Sequence, residues 1–586
     1  MRSQSGIPPV SKRPLVEIRG LSIAFSNANG GVPLVRSVDL SVRSGECVAL
    51  VGESGSGKSL TARSLIGLAG RGAQIDAQRF EIDGRNALRF NERDWRALRG
   101  SFAGLVMQDA LVSLDPLRTV GAEIGEVLAH HRVLRSRALR QARVHEVMAG
   151  VGIPEPAMRA QQYAHELSGG LRQRALIASA IAAGPALVIA DEPTTALDVT
   201  VQAQVLAVLA ERLAQGVGVL LISHDLAVVS GIADRVLVMH DGEVVDSGST
   251  RDVLRHPSHA YTRQLLAAQP SLQSRGQRLS SARMVSATPD DAPTIVRDPL
   301  PPRVACSGRV VLEVEGIGKT YRRRGGKRDE RFIALDDMSF SVREGEVLGI
   351  IGESGSGKST CGNIVLGLLA PDRGAVKFLG SEWNGAGVKE TARRRLRSRM
   401  QFIPQDPLSS FNPRHAVREL LAEGLHPQRL SKADAVAQSV NLLEQVGLSA
   451  AYLDRQPISL SGGQRQRVAI ARALASEPAL IVCDEPVSAL DVYVQAQVLD
   501  LLVSLQARHA TALLFISHDL DVVGHLCERV LVFKFGRVVE EGDVETVFER
   551  PRHAYTCSLK ASAPSLRHQL DERCDDNIAV ASEPML

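Results

Sequence analysis

The chain repeats itself. The octapeptide GESGSGKS stands at 52–59 and again at 352–359, and four further segments recur behind it in the same order. LSGGLRQR at 167–174 returns as LSGGQRQR at 460–467, and IADEPTTALDV at 189–199 returns as IVCDEPVSALDV at 481–492. LISHDL at 221–226 matches FISHDL at 515–520, and HAYT at 259–262 recurs at 553–556. The spacing between paired copies barely drifts, so the chain reads as two full-length copies of one domain. Its 586 residues also exceed what one hydrophobic core holds together. The copies are expected over 15–270 and 310–565. Between them, 271–309 is rich in Ser, Pro, Arg and Asp and lacks apolar periodicity, the composition of a flexible, partly extended linker. The ends, 1–14 and 566–586, are expected as disordered tails.

Each copy carries its elements in one order. Short apolar strands come first, at 15–18 and 312–314. A very apolar strand follows, CVALVG at 47–52 and VLGIIG at 347–352, and runs into the Gly-rich octapeptide and a helix. Then come a polar, helix-rich stretch (about 115–165 and 412–458) and, in the first copy, the apolar runs ALVIAD at 186–191 and VGVLLIS at 217–223. Such runs, bounded on both sides, read as strands of a parallel sheet covered by helices. The fold class is α/β, with a helical subdomain inserted between the Gly-rich loop and LSGG.

GESGSGKS satisfies G-x-x-x-x-G-K-[ST] in both copies. Gly52, Gly55 and Gly57, like Gly352, Gly355 and Gly357, let the backbone curl so that successive N–H groups point into one concavity. The first turn of the following helix adds its positive end. Ser54, Leu60, Ser354 and Thr360 belong to the same phosphate cradle. Lys58 and Lys358 reach the β- and γ-phosphates of ATP, and the Ser59 and Ser359 hydroxyls can ligate Mg²⁺. In both copies an apolar strand further on ends in two acids. Asp191 and Asp484 stand where doubly wound sheets bind ligands, placed to hold Mg²⁺. Glu192 and Glu485 are placed to orient and deprotonate an attacking water.

LSGG followed by x-R-Q-R, just ahead of that strand, makes the chain resemble the nucleotide-binding subunits of the ABC transporter family over about 15–270 and 310–565. The resemblance implies two P-loop NTPase domains of ABC type in tandem. Ser168, Gly169 and Gly170 stand ahead of an apolar-periodic helix at 171–183, and their N–H groups form a second anion site. Ser461, Gly462 and Gly463 repeat them. In the family this signature meets the γ-phosphate held by the opposite domain. The halves would therefore pair head to tail, one ATP between Lys58 and Ser461 and the other between Lys358 and Ser168. Gln108 and Gln405 match the glutamine that senses Mg²⁺ and water and touches the transmembrane partner. Asp198 and Asp491 match the D-loop aspartate, and His224 and His518 the switch histidine at the γ-phosphate. Tyr321 matches the aromatic that stacks on adenine, and Phe25 stands there in the first half. Both halves keep the full set, so both sites are expected to hydrolyse ATP.

HPSHAYTRQLLAAQPS at 256–271 and RPRHAYTCSLKASAPS at 550–565 resemble the C-terminal extension of the oligopeptide, dipeptide and nickel importer branch, as do SLDP at 113–116 and SSFNPR at 409–414. That resemblance implies a motor for import of peptides or related small solutes. Its partners would be two transmembrane permeases and an extracytoplasmic solute-binding protein. Many relatives add a cysteine cluster able to hold an iron–sulfur centre. Here the seven cysteines form no CxxC pair, and only Cys306, Cys557 and Cys574 lie near those regions, so no cluster is expected. Cys361 and Cys483, in apolar segments, read as small buried thiols.

No apolar run reaches the roughly 20 residues that span a bilayer, and MRSQSGIPPVSKRP has no apolar signal region. The chain is expected on the cytoplasmic face of the inner membrane, held there by its permeases. With 69 basic and 65 acidic residues the net charge is only +4, which says little about partners; a nucleic-acid binder more often concentrates its basic residues in a stripe. The densest basic stretches, 321–331 and 393–399, read as solvated surface. A soluble tandem ABC ATPase working on ribosomes or nucleic acid stays open as the alternative. A coil-like 271–308 and the lack of CxxC insertions both speak against it. A tandem sugar importer, whose family usually shows one degraded half, is the other rival.

Overall fold

The computed structural model describes residues 13–25, 33–108, 113–195, 197–285, 294–303, 308–322, 331–428, 430–488 and 490–563. The expected tails up to residue 12 and from 566, the basic run at 323–330, and Cys306 and Cys574 lie outside the described residues.

In the first half, Ala103–Val106, Leu187–Asp191, Gly218–Ile222, Cys47–Gly52 and Arg235–His240 lie side by side and parallel, with Glu243–Ser249 antiparallel at one edge. The second half repeats the order with Met400–Ile403, Leu480–Asp484, Ala512–Ile516, Val347–Gly352, Arg529–Lys534 and Arg537–Asp543. All residues of Cys47–Gly52, Leu187–Asp191 and Gly218–Ile222 are buried. Continuous apolar runs fit this place because both faces of the sheet are covered.

One face is covered by a second, antiparallel sheet. Its strands are Val16–Phe25, Val35–Val42, Ala73–Asp76 and Arg79–Ile82 in the first half. In the second half they are Val310–Arg322, Arg331–Arg343, Arg373–Phe378 and Ser381–Gly385. The short strands expected at 15–18 and 312–314 are the starts of these longer ones. Val16, Ile18, Leu21 and Ile23 turn inward against Val48, Leu50, Leu187 and Leu220 of the parallel sheet. The other face carries helices. Val120–His130 and Arg137–Gly150 form the expected helical subdomain, and Ile124, Leu128, Val144 and Met148 pack against Gly169–Ile181.

The described parts of the segment between the halves depart from the flexible coil expected of it. Arg283–Val285 pairs antiparallel with Thr294–Val296. The backbone N–H groups of Leu279 and Ser280 donate to the buried Asp500 carboxylate (2.9 and 2.8 Å), and Arg303 pairs with Glu528. A composition poor in apolar residues still orders where backbone donors find a buried acceptor. Of the basic run at 393–399, most arginines are exposed, but Arg393 is half-buried and donates to the carbonyl of Gly367 (2.8 Å). Cys361 and Cys483 are fully buried free thiols. A cavity of about 1110 Å³ is lined from both halves, by His224 and Asp225 on one side and His518 and Asp519 on the other.

Candidate nucleotide sites

The Gly-rich loops emerge from the central strands of both parallel sheets. Gly52 (φ 145°) and Gly352 (φ 149°) turn the chain out of the strand; a Cβ on them would lie 2.1 and 2.3 Å from the carbonyls of Met239 and Phe533. Gly55 and Gly355 are left-handed (φ 86° and 83°), with nothing within 4 Å of where a Cβ would be. Only glycine meets both demands at no cost: a positive φ and a backbone left bare. Ser54 and Ser354 are exposed on the loop, and Gly57 and Gly357 precede the helices Lys58–Ser64 and Lys358–Val365. Lys58 and Lys358 are buried and fold back over their own loops. Lys58 Nζ donates to the carbonyls of Gly52 (2.8 Å) and Glu53 (2.5 Å), and Lys358 Nζ to those of Gly352 (2.6 Å) and Glu353 (2.9 Å). Burial lowers both amines from their usual range. Leu60 and Thr360 sit half-buried in the first helical turn.

The acids converge on these loops. Ser59 Oγ donates to Asp191 Oδ1 (2.8 Å), and Ser359 bonds Asp484 in the same way. Two hard oxygen donors already in contact are the donor set that Mg²⁺ takes. Burial raises the pKa of Asp191 and pushes Asp484 up to about 6. Glu192 (φ 50°) and Glu485 (φ 48°) hold a left-handed backbone that L-residues seldom adopt. Gln108 Nε2 donates to Glu192 Oε2 (2.7 Å), and Gln405 Nε2 to Glu485 Oε2 (2.9 Å). His224 Nδ1 is 3.5 Å from Glu192, and His518 Nδ1 is 3.1 Å from Glu485. Burial works against both charges of each pair. Mutual attraction and hydrogen bonding outweigh it, so the glutamates lie below their usual pKa and the histidines above theirs. Each half thus assembles lysine, serine, two acids, glutamine and histidine around one spot.

Ser168 and Ser461 cap the helices Gly169–Ile181 and Gly462–Leu474, accepting from the N–H of Leu171 (3.4 Å) and Gln464 (3.3 Å). The first helix starts two residues before the expected 171. The two glycines of each signature do different work. Gly169 and Gly462 are exposed, with no atom closer than 3.7 Å to an added Cβ, whereas a Cβ on Gly170 or Gly463 would meet Val201 (3.0 Å) or Val494 (2.2 Å). Asp198 caps the next helix, Val199–Ala214, through Oδ1, and its Oδ2 accepts from the N–H of Ser354 in the other half (3.1 Å). Thr200 Oγ1 donates to Glu353 Oε1, also across the halves (2.6 Å). Asp491 caps its own helix (Val494 N–H, 3.0 Å), and its charge acts on Glu53 and Lys58. Phe25 and Tyr321 stand at the ends of their antiparallel strands, Phe25 half-buried beside Gly70 and Tyr321 40 % exposed.

Sequence reasoning missed Thr200, Glu353 and a pair of tyrosines. Tyr261 and Tyr555 accept hydrogen bonds from the N–H groups of Glu53 (2.9 Å) and Glu353 (3.0 Å), inside the Gly-rich loops. The recurrence of HAYT pointed to these tyrosines without saying what they touch.

Comparison with known proteins identifies the family. The ABC transporter family model matches residues 35–195 and 335–488, and a model described as oligopeptide/dipeptide transporter, C-terminal region, matches 245–294 and 539–583. The chain is 41% identical over 558 residues to the peptidoglycan transport ATP-binding protein YejF of Agrobacterium fabrum, covering 94% of this chain and 96% of that one. It is 40% identical to the oligopeptide transport ATP-binding protein OppD of Mycobacterium tuberculosis (94% and 98% covered). It is 41% identical to the glutathione import ATP-binding protein GsiA of Salmonella choleraesuis (95% and 90%). With the family model matched in both halves and relatives about 40% identical along nearly its whole length, the chain belongs to the ABC transporter family, as a tandem ATPase.

Proposed function

We propose that this chain is the motor for uptake of di- or oligopeptides, or related small solutes, across a bacterial inner membrane. It would be bound at the cytoplasmic face to two permeases that receive cargo from a solute-binding protein. The observation that carries this reading is the oligopeptide/dipeptide C-terminal region, matched once in each half. Among the described residues no helix is long and apolar enough to cross a membrane, which fits a subunit docked on membrane partners.

The two halves close head to tail on ATP. The Asp198–Ser354 and Thr200–Glu353 hydrogen bonds support that pairing, because they bring the D-loop of one half to the Gly-rich loop of the other. Lys58 faces Ser461 across one site and Lys358 faces Ser168 across the other. Ser59 with Asp191, and Ser359 with Asp484, hold Mg²⁺, with Gln108 and Gln405 beside them. When bound, Mg²⁺ neutralises phosphate charge as a Lewis acid. Glu192 and Glu485 take a proton from the attacking water, and His224 and His518 fix those carboxylates and meet the γ-phosphate. Phe25 and Tyr321 stack on adenine. Loss of the γ-phosphate removes what bridges the halves, and they reopen.

The test is uptake of labelled di- and oligopeptides by cells lacking the gene, complemented by wild type or by Lys58→Ala/Lys358→Ala. Uptake restored by wild type alone supports a peptide motor. Uptake indifferent to the gene rejects peptides as cargo.

A further inference from the structure

Tyr261 and Tyr555 are buried, 8 % and 6 % exposed, in the second positions of the helices Ala260–Ala267 and Ala554–Ser562. Each helix start is tied down. His259 Nδ1 accepts from the Tyr261 N–H (3.2 Å) and His553 Nδ1 from that of Tyr555 (3.1 Å). The Asp246 carboxylate accepts from the N–H groups of Ser258 (3.0 Å) and His259 (3.2 Å), and Glu540 does the same for Arg552 (2.8 Å) and His553 (3.2 Å). The rings are held from a second side. His240 stacks on Tyr261 with centroids 4.1 Å apart, and Lys534 Nζ lies 4.4 Å over Tyr555. Both contacts come from the last residue of the strand next to the Gly-rich strand.

So fixed, each hydroxyl accepts from the N–H of the residue after the first loop glycine. That N–H shares a peptide plane with the carbonyl of Gly52, or of Gly352, and that carbonyl accepts from Lys58 or Lys358. A peptide unit is rigid and planar, so its N–H and C=O point in opposite directions. The tyrosine holds one end of the plane and the lysine the other. Gly52 and Gly352 lack the Cβ that would otherwise hinder rotation of this plane. The tyrosine contact opposes that rotation from 208 residues away in one half and 202 in the other.

We propose that Tyr261 and Tyr555 are positioning residues for ATP, and that through them the C-terminal extension of each half sets the nucleotide affinity of its own loop. The inference rests on the Gly-rich loops being the ATP sites.

Tyr261→Phe and Tyr555→Phe keep the ring and remove the acceptor. Each should raise the KM for ATP roughly 3- to 10-fold, the worth of one hydrogen bond, while kcat stays within about twofold, because no reacting atom is touched. Hydrogen exchange of the 47–57 and 347–357 backbone should quicken in the matching variant only. Thr262→Val alters the buried neighbour in the same helix without reaching the loop, and should leave KM unchanged. An unchanged KM in both Phe variants, or an equal rise in Thr262→Val, overturns the proposal. So does fast exchange of the Glu53 and Glu353 amides in the nucleotide-free wild type, a measurement that needs no variant. Lys58→Ala/Lys358→Ala is run beside them. If that variant hydrolyses ATP like wild type, the loops are not the ATP sites. If it is inactive while the Phe variants match wild type, only the tyrosine proposal fails.

Discussion

Glu192 and Glu485 carry the sharpest demands of any residues in the two sites. Each holds a left-handed backbone and receives hydrogen bonds or charge from a glutamine and a histidine, and in the first half Thr195 Oγ1 also donates to Glu192 (3.0 Å). Strain of this kind persists where the surroundings over-determine a conformation, and it clusters at functional sites. Glutamine has the same shape but neither the charge nor the basicity. Glu192→Gln and Glu485→Gln should each slow hydrolysis at their own site, on the order of 10²-fold where the base acts in the slow step, so the two single variants should each lose a similar share of total phosphate release. The double variant should release none above background. Turnover that survives Glu192→Gln but is abolished by Glu485→Gln would mean that only the second half is catalytic.

The signature helices show the same division of labour at the scale of an element. The exposed first glycine leaves the helix N-terminus open to an anion, while the second lets the helix sit against the one that follows the D-loop. A Cβ at Gly463 would enter Val494 Cγ1 at 2.2 Å, and one at Gly462 meets nothing closer than 3.7 Å. Gly463→Ala should therefore destabilise the second half by about 1–3 kcal/mol, the usual cost of overpacking, measured by urea unfolding. Gly462→Ala should leave that transition in place and instead weaken ATP turnover. The motifs, their strands and the helical subdomain were legible in the sequence because each rests on local periodicity or on glycines at fixed offsets. The antiparallel sheet was only half legible. Val16–Phe25 alternates imperfectly, with register shifts between Ile18 and Ile23, and such irregularity blurs a period of two. The link from Tyr261 to Glu53 was not legible, since no local pattern reports a contact spanning 208 residues.

At the scale of the whole molecule, the described parts of the connecting segment form a strap against the second half, and its seat is titratable. Ser274 Oγ lies 2.8 Å from Nδ1 of His525, both side chains buried. Arg275 and Arg303 of the strap pair with Glu545 and Glu528 nearby. Burial lowers the pKa of His525 to about 4, with help from the charges of Arg303, Arg297 and Arg275 and against the Ser274 hydrogen bond. The unfolded chain takes up this proton near pH 6.5, and the folded chain refuses it until pH approaches 4. The contribution of His525 is thus complete above about pH 6.5 and is lost as pH falls toward 4, by up to about 3 kcal/mol. Wild type should lose more stability than His525→Gln between pH 7 and pH 4.5, with the difference read from unfolding of the second half. Hydrogen exchange across 272–285 should quicken over the same range in wild type. Asp500→Asn should quicken it already at pH 7, because an uncharged amide oxygen holds the N–H groups of Leu279 and Ser280 less tightly than a carboxylate does. Equal pH slopes in wild type and His525→Gln would mean that this histidine is not held neutral. Slow exchange in Asp500→Asn would mean that the strap is seated by its arginine pairs instead.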